Sequence, residues 1–459
     1  MTADIVFATT KQLAAAIRTG QVSAAEVLEA HLAQIEERNP VLNAIVTLDA
    51  AGARKRAREA DEAMTKGELW GPLHGVPFTL KDCHATAGMR TTAGYEPLAD
   101  YIPEEDGTIS ERLKAAGGIL LGKTNVPVLL ADIQSDNPIF GRSNNPWRLE
   151  RTPGGSSGGA AAALAAGMTP FDIGSDIGGS IRIPSHFCGL FGLKPTENRV
   201  SSAGHIPELP GLPRSVRIMA SIGPMARSVE DLALLYQIIS GPDGRDVEVP
   251  PVPVDQPPQV ELKELRIALA TTFPGFPVAA AITEALKEVA HELQPLCAAV
   301  EEAALPDEDL ALAVARGREL TDMMVGAFGT EKKEPPVSLA RYLEALHHRD
   351  HFIAAWEAFF EVWDVLLCPP SMVTAFPHCQ VQSPLQVDGK SVDYWFANAH
   401  CKVFNYSGHP AVVLPYKVGG DGLPIGIQVV GRRWAEARLL AIASALAQVT
   451  GQFRRPPGY

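Results

Sequence analysis

Short apolar runs separated by glycine and proline recur along this chain, and they set the strongest limit on its fold. They include residues 76–80, 119–121 and 171–173. Strands that are buried on both faces show continuous apolar runs of this kind, whereas half-exposed strands alternate with polar residues. The alanine-rich segment 159–168 and the amphipathic segment at about 435–449 are typical of helices. The pattern therefore predicts an α/β core of buried strands covered by helices.

Two other regions have a helical pattern. Near the N-terminus, Ser23 and Glu26 form a capping-box pattern before an amphipathic segment. Residues 281–363 also look mainly helical, with apolar residues at helical spacing. A strand is expected at 265–270, and the proline-rich stretch 250–258 is expected to be an extended linker.

These patterns predict a single domain over residues 1–459. Its core is expected at about 60–244 and 364–450, interrupted by a helical insertion at about 245–363. The insertion contains no catalytic motif, and we expect it to pack over the substrate entrance as a lid. Its apolar residues Met323, Met324 and Phe328 would then influence substrate preference.

The balance of charges limits the partners. The chain has 40 basic and 53 acidic residues, a net charge of −13. Such an acidic surface argues against nucleic-acid and anionic-membrane partners. We expect a small-molecule partner, no nucleic acid, no membrane, and a chain that can form homo-oligomers.

Other features predict a cytoplasmic location. The six cysteines show no CxxC spacing in a long chain, which favours reduced thiols. The first thirty residues do not form a signal-peptide pattern, and no apolar stretch approaches the eighteen residues of a membrane span.

Three segments carry unusual chemistry. Lys81 follows an apolar run, where a lysine is either a surface residue with a buried stem or a buried functional amine. Residues 154–159 read GGSSGG, which leads directly into the alanine-rich segment and so favours a tight turn over a flexible linker. In residues 174–184, two glycines precede Ser180. Consecutive glycines allow a close backbone approach and can direct several N–H groups to one point.

Competing motifs have weaker support. The glycine-rich loop lacks the Gly-Lys-Ser/Thr ending of a phosphate-binding loop, and no G-x-S-x-G elbow occurs. His347, His348 and His351 lie among charged residues, which favours a solvated helix face, and no HExxH motif occurs. We therefore expect no metal and no cofactor. Without a convincing histidine base, a Ser-Lys arrangement is the natural candidate.

Taken together, the segments resemble the amidase signature family. The resemblance is carried by Lys81, by GGSSGG about 75 residues later, and by GSDIGGSIR at 174–182. Further similar features are FCGLFGLKPT at 187–196, GHPA at 408–411 and LPIGIQ at 423–428. The resemblance covers about 60–240 and 365–450, and it implies a central mixed β-sheet covered on both faces by helices.

The resemblance also implies site residues. It makes Ser180 the nucleophile, Ser156 a proton relay held in a cis peptide, and Lys81 the base. It further implies a backbone oxyanion hole and supporting positions, which are respectively Ile177, Gly178, Gly179 and Ser180, and Asp176, Arg182 and Ser157.

Physical chemistry sets one condition for these roles. Lys81 accepts a proton only when neutral, so its pKa must fall by about three units from about 10.4, or roughly 4 kcal/mol. Burial has to supply this shift. Asp82 would oppose it, but successive strand side chains point to opposite faces.

The substrate is less constrained. Members of the family hydrolyse amides, aryl amides and carbamates (urethanes), and esters are also plausible substrates here. Glu197, Asn198 and Arg199 replace a frequent Tyr-Gly-Arg, and residues 126–130 are apolar where many members are polar or acidic. These departures favour an apolar acyl or aryl substrate over glutamine. Two alternatives stay open: an amidase subunit of a glutamyl-tRNA amidotransferase-like complex, and a non-catalytic binding protein on the same fold.

Overall fold

The structure is a computed structural model that describes residues 2–206, 208–306, 309–327 and 337–459. Within these residues the strands form a central sheet and a separate hairpin. The strands are β1 (Ile45–Leu48), β2 (Pro77–Lys81), β3 (Ile119–Thr124), β4 (Phe171–Asp176), β5 (Phe191–Lys194), β6 (Ser221–Ala226), β7 (Arg266–Leu269), β8 (Ala299–Glu302), β9 (Val365–Cys368), β10 (Leu385–Val387), β11 (Lys390–Val392), β12 (Ala411–Val418) and β13 (Pro424–Val430).

The central sheet is mixed. Among the described residues its strand order is β1-β3-β2-β4-β6-β5-β12-β13-β9-β7-β8, while β10 and β11 pair separately. β2 runs parallel to both β3 and β4, and β7 runs parallel to β8 and β9. The pairs between β4 and β9 along this order are antiparallel. The mixed sheet implied by the resemblance is confirmed.

Helices cover both faces of the sheet. Along β9, Val365 and Leu367 belong to one apolar cluster, whereas Leu366 and Cys368 belong to another. This alternation is expected when both faces of a strand are buried. The α-helices are α1 (Thr2–Phe7), α2 (Thr10–Arg18), α3 (Ala24–Leu42), α4 (Ala50–Thr65), α5 (Thr108–Ala115), α6 (Gly158–Ala165), α7 (Arg182–Cys188), α8 (Val229–Ile239), α9 (Ala280–Leu293), α10 (Leu310–Gly326), α11 (Leu339–Val362), α12 (Ala399–Tyr406) and α13 (Glu436–Thr450).

The strongest local patterns predict their elements correctly. The three apolar runs lie in β2, β3 and β4, and the alanine-rich segment forms α6. Ser23 caps α3, with its hydroxyl accepting from the Glu26 N–H while the Glu26 carboxylate accepts from the Ser23 N–H. Residues 251–261 contain neither helix nor strand, as expected for the linker.

The segment 245–363 differs from a purely helical insertion. Its strands β7 and β8 extend the central sheet, and the sequence pattern predicts only β7. Helix α11 packs on the sheet, because Trp356 and Phe352 share an apolar cluster with Ala268 and Leu366. The segment is therefore joined to the core by backbone pairing and by apolar packing.

Trp356 provides a test of that joining. Its side chain is fully buried, so Trp356→Ala should destabilise the fold by about 3–5 kcal/mol and lower the melting temperature of the main unfolding transition. Leu343→Ala on the same helix is the matched control, because Leu343 is 54% exposed and should change stability by no more than about 0.5 kcal/mol. Circular dichroism and tryptophan fluorescence would follow unfolding. A separate early transition in Trp356→Ala, with the main transition unmoved, would mean that the segment folds independently of the core.

Candidate active site

The parallel pair β2 and β4 brings the predicted site residues together. Thr79 lies opposite Asp172 and Leu80 opposite Ile173, so both strands end at the same edge of the sheet. Lys81 ends β2 and Asp176 ends β4. A loop of five residues then leads from Asp176 to α7, and it contains Ser180.

Lys81 is a buried amine in contact with hydroxyl groups. Its Nζ donates to Ser156 Oγ at 2.7 Å and to Ser175 Oγ at 3.0 Å. It also donates to the Ser175 carbonyl at 3.3 Å. The side chain is fully buried, so the surface alternative for this lysine is wrong. Sequence reasoning missed Ser175, although its place next to Asp176 at the strand end was a usable signal.

Burial also decides the protonation of Lys81. It lowers the pKa of Lys81 to about 8, although Cys83, Asp176 and Asp172 act in the opposite direction. Asp82 is directed elsewhere, because its carboxylate accepts from the Thr92 N–H and hydroxyl. The amine therefore titrates well below its ordinary range.

Ser156 and Ser157 lie at the turn before α6. The Gly155–Ser156 peptide is cis, and the Ser157 N–H donates to the Ser180 carbonyl at 3.2 Å. A Cβ on Gly174 would lie only 2.8 Å from Ser157 Oγ, so glycine is required there for β4 to approach this turn. Ser157 thus contacts Ser180 through the backbone.

Ser180 has an available hydroxyl. The residue is 8% exposed, and within the described part of the chain no hydrogen bond involves its Oγ. The structure therefore joins Lys81 directly to Ser156, and joins Ser180 to the neighbouring turn through the backbone contact with Ser157.

The loop 177–181 presents N–H groups, but not all four of those predicted. The Gly179 N–H donates to Asp176 Oδ1 at 2.8 Å. The N–H groups of Ile177, Gly178 and Ser180 have no acceptor among the described residues. Gly179 has φ +105°, a conformation that glycine adopts without strain. Its N–H closes the loop onto Asp176, which leaves three N–H groups available to a ligand.

Asp176 and Arg182 form a buried ion pair that holds this loop. Arg182 Nη2 and Nε donate to the Asp176 carboxylate at 2.8 and 3.0 Å. Burial raises the pKa of the Asp176 carboxyl, but Arg182 outweighs burial and holds that pKa well below its usual range. The same carboxylate accepts from the Ile181 N–H at 3.1 Å. Both residues therefore support the loop, as the resemblance implied.

The two departures in sequence have different structural settings. Glu197 is buried and pairs with Arg349 of α11 at 2.5 Å, so this altered loop anchors a helix. Leu129 and Leu130 pack against an apolar cluster that contains Cys83, two residues after Lys81. Apolar side chains therefore lie close to the end of β2.

The histidine group on α11 is not a metal centre in this structure. His347 and His351 contact each other, with 3.2 Å between their Nε2 atoms. Within the described ranges, no group of three or more His, Cys, Asp or Glu residues is arranged to hold a metal ion. Those ranges also include no helix that is both long and apolar enough to cross a membrane.

Comparisons with known proteins agree with this geometry. The sequence model of the Amidase family matches residues 26–324 and 319–440, and it therefore spans the segment 245–363 that the sequence resemblance did not reach. The chain is 34% identical to a subunit of the glutamyl-tRNA(Gln) amidotransferase of Moorella thermoacetica, over 99% of each chain. This chain belongs to the amidase family.

Solved structures share the fold over nearly the whole chain. A bacterial aryl acylamidase of the amidase signature family superposes with a TM-score of 0.83 at 26% identity, covering 97% of this chain and 96% of the other. The corresponding amidotransferase subunit of Thermotoga maritima gives a TM-score of 0.83 at 26% identity, covering 99% of this chain and 98% of the other.

The pKa of Lys81 predicts a pH profile. If its neutral amine accepts a proton in the reaction, kcat/KM should rise with pH through an apparent pKa near 8 and then level off. Lys81→Met should abolish this rise together with most of the rate, and Lys81→Arg should do no better, since a guanidinium stays protonated.

Lys123 offers a matched control for this profile. Burial also lowers its pKa to about 8, but its Nζ donates to the His84 carbonyl and not to a serine. Lys123→Met should therefore keep the rise near pH 8. If the rise disappears in Lys123→Met and persists in Lys81→Met, Lys81 is not the titrating group.

Proposed function

We propose that this chain hydrolyses amide-type carbon–nitrogen bonds through an acyl-enzyme on Ser180, with Ser156 as relay and Lys81 as base. The contact that carries this proposal is the 2.7 Å hydrogen bond between Lys81 Nζ and Ser156 Oγ. A serine hydroxyl is a poor nucleophile until a base removes its proton. A buried amine with a pKa of about 8 is suited to that task at neutral to mildly alkaline pH.

The proposed proton path runs through the two serines. As Ser180 Oγ attacks the carbonyl carbon, its proton passes to Ser156 Oγ while the Ser156 proton passes to Lys81 Nζ. The C–N bond breaks when the returning proton reaches the leaving nitrogen. Water then attacks the acyl-enzyme by the same route, releasing the acid and restoring Ser180. This route uses protein groups and water.

The oxyanion is proposed to bind the N–H groups of Ile177, Gly178 and Ser180. These groups have no acceptor among the described residues, so they can donate to a developing negative charge. Gly179 is assigned a positioning role instead, because its N–H is used by Asp176. Asp176 and Arg182 would keep the donors in place before substrate arrives.

The substrate has two candidate classes. The free-standing amidase, with an apolar acyl or aryl substrate, is supported by Leu129 and Leu130 beside the Cys83 cluster and by the likeness to an aryl acylamidase. The amidase subunit of an amidotransferase is better supported, because a relative of that name is 34% identical over 99% of this chain. In that case the chain acts with partner subunits. Hydrolysis of a neutral anilide by the purified chain would favour the free-standing enzyme.

Other expectations from the sequence continue as proposals. Carbamates and esters are further substrates to test, and a cytoplasmic location and homo-oligomers are retained. The lid is assigned to α10, where Met323 packs against the same cluster as Ile177 of the loop, while Met324 is buried. Phe328 lies outside the described residues. A binding protein without activity is disfavoured, because it would not need a buried lysine on a serine hydroxyl.

Ser156→Ala tests the relay. It should reduce kcat/KM for a p-nitroanilide at least about tenfold more than for the matching p-nitrophenyl ester, within the 10²–10⁴ range of acid–base catalysis. The leaving amine needs a proton, whereas p-nitrophenolate leaves without one.

Ser157→Ala is the neighbouring control. Its hydroxyl is buried without a partner among the described residues, so the two rates should change by the same factor. Equal losses for amide and ester in Ser156→Ala, above the plateau pH, would exclude Ser156 as the relay.

A further inference from the structure

Helix α12 lies beside the candidate oxyanion loop and has one unusual residue. Seven of the eight residues in Ala399–Tyr406 are buried, and Lys402 alone is partly exposed. Cys401 packs against the loop so closely that a Cβ on Gly179 would lie 2.8 Å from Cys401 Cβ. The helix therefore forms a wall of the site, and Lys402 is the residue on it that solvent reaches.

The Lys402 side chain reaches toward the loop. A Cβ on Gly178 would lie 3.6 Å from Lys402 Cε and 3.7 Å from its Cγ. The ammonium is one C–N bond of about 1.5 Å beyond Cε, so it lies within about 5 Å of that position. A surface lysine with a buried stem would carry its charge away from the site, whereas here the last carbon of the stem lies at the loop.

Lys402 has no ionic partner in the described part of the chain. No hydrogen bond or ion pair joins its ammonium to a described carboxylate, and its closest recorded contact is the Trp395 ring, 5.7 Å from Nζ. Arg318, Asp322 and Asp393 influence it from farther away, and Arg318 and Asp322 pair with each other at 3.9 Å. Burial lowers the pKa of Lys402 to about 8, which leaves most of it charged at neutral pH. A partly buried, unpaired cation is unfavourable unless a ligand completes it.

A second unused polar group lies on the same face. Asn398 precedes Lys402 by four residues, so the two side chains stand one above the other along the helical turn. Its Nδ2 would lie 3.3 Å from a Cβ on Gly178, and its Oδ1 is buried with no partner among the described residues. Two side chains with unused hydrogen-bonding capacity therefore flank Gly178.

We propose that Lys402 determines specificity by binding a carboxylate of the substrate, so that the preferred amides carry an anionic group a few bonds from the scissile carbonyl. This proposal rests on the proposed function, because it takes the Gly178 loop as the place where the carbonyl binds. It narrows the substrate class to acidic amides and leaves the acyl or aryl part free to contact apolar residues.

Matched substrates test the proposal. On the acyl side, the p-nitroanilide of succinic acid monoamide is compared with that of butyric acid. On the amine side, the butyryl amide of 4-aminobenzoate is compared with that of its methyl ester. In the parent enzyme, kcat/KM should favour the anionic member of at least one pair. Lys402→Met should lower that preference at least about tenfold and Lys402→Glu should reverse it, while Lys402→Arg should retain most of it.

Controls separate this proposal from the catalytic one. Lys55→Met, on the exposed face of α4 with 76% of its side chain accessible, should leave the preference unchanged. Calorimetric binding of the favoured anionic amide is then compared in Ser180→Ala with and without Lys402→Met. Weaker binding in the double variant, together with no turnover in the parent enzyme, would support Lys402 and contradict the hydrolase. Equal binding, or a preference unaffected by Lys402→Met and Lys402→Glu, would overturn the role of Lys402.

Discussion

The buried ion pair between Asp176 and Arg182 is the interaction on which the site depends. Arg182 also donates to Gln428 of β13 at 2.8 Å, to the Cys401 carbonyl at 3.0 Å and to Asn405 of α12 at 2.5 Å. One guanidinium thus connects the end of β4, the wall helix α12 and a central strand. Removing one partner of such a pair typically destabilises a fold by about 3–5 kcal/mol. Here it would also release the loop that presents the three free N–H groups.

Burial supplies the second constraint, because it shifts the pKa of several groups near this edge of the sheet. It lowers the pKa of Lys81 and Lys123 to about 8 and that of Lys194 to about 7. It raises the pKa of Asp172 to about 7. At pH 7, about a tenth of an amine with a pKa of 8 is neutral. The base therefore needs no special contact to become available, since its depth in the sheet is sufficient.

Much of this arrangement could be predicted from the sequence. Continuous apolar runs located β2, β3 and β4, and the glycine-rich strings located the turn at Ser156 and the loop at Ser180, because both signals are local. Strand β8 was missed, since AVEE lacks an apolar run, and β6 was missed because Pro224 interrupts its pattern. The use of the Gly179 N–H by Asp176 and the approach of Lys402 to Gly178 depend on tertiary packing. No spacing in the sequence carries that information.

Covalent labelling tests the central assignment most directly. The enzyme is treated with a fluorophosphonate, which reacts with an activated serine, and the adduct is located by intact mass and peptide mapping. The account predicts one adduct, on the peptide that contains Ser180, with no adduct in a folded Ser180→Ala variant. Labelling of another serine, or undiminished labelling of Ser180→Ala, would contradict it.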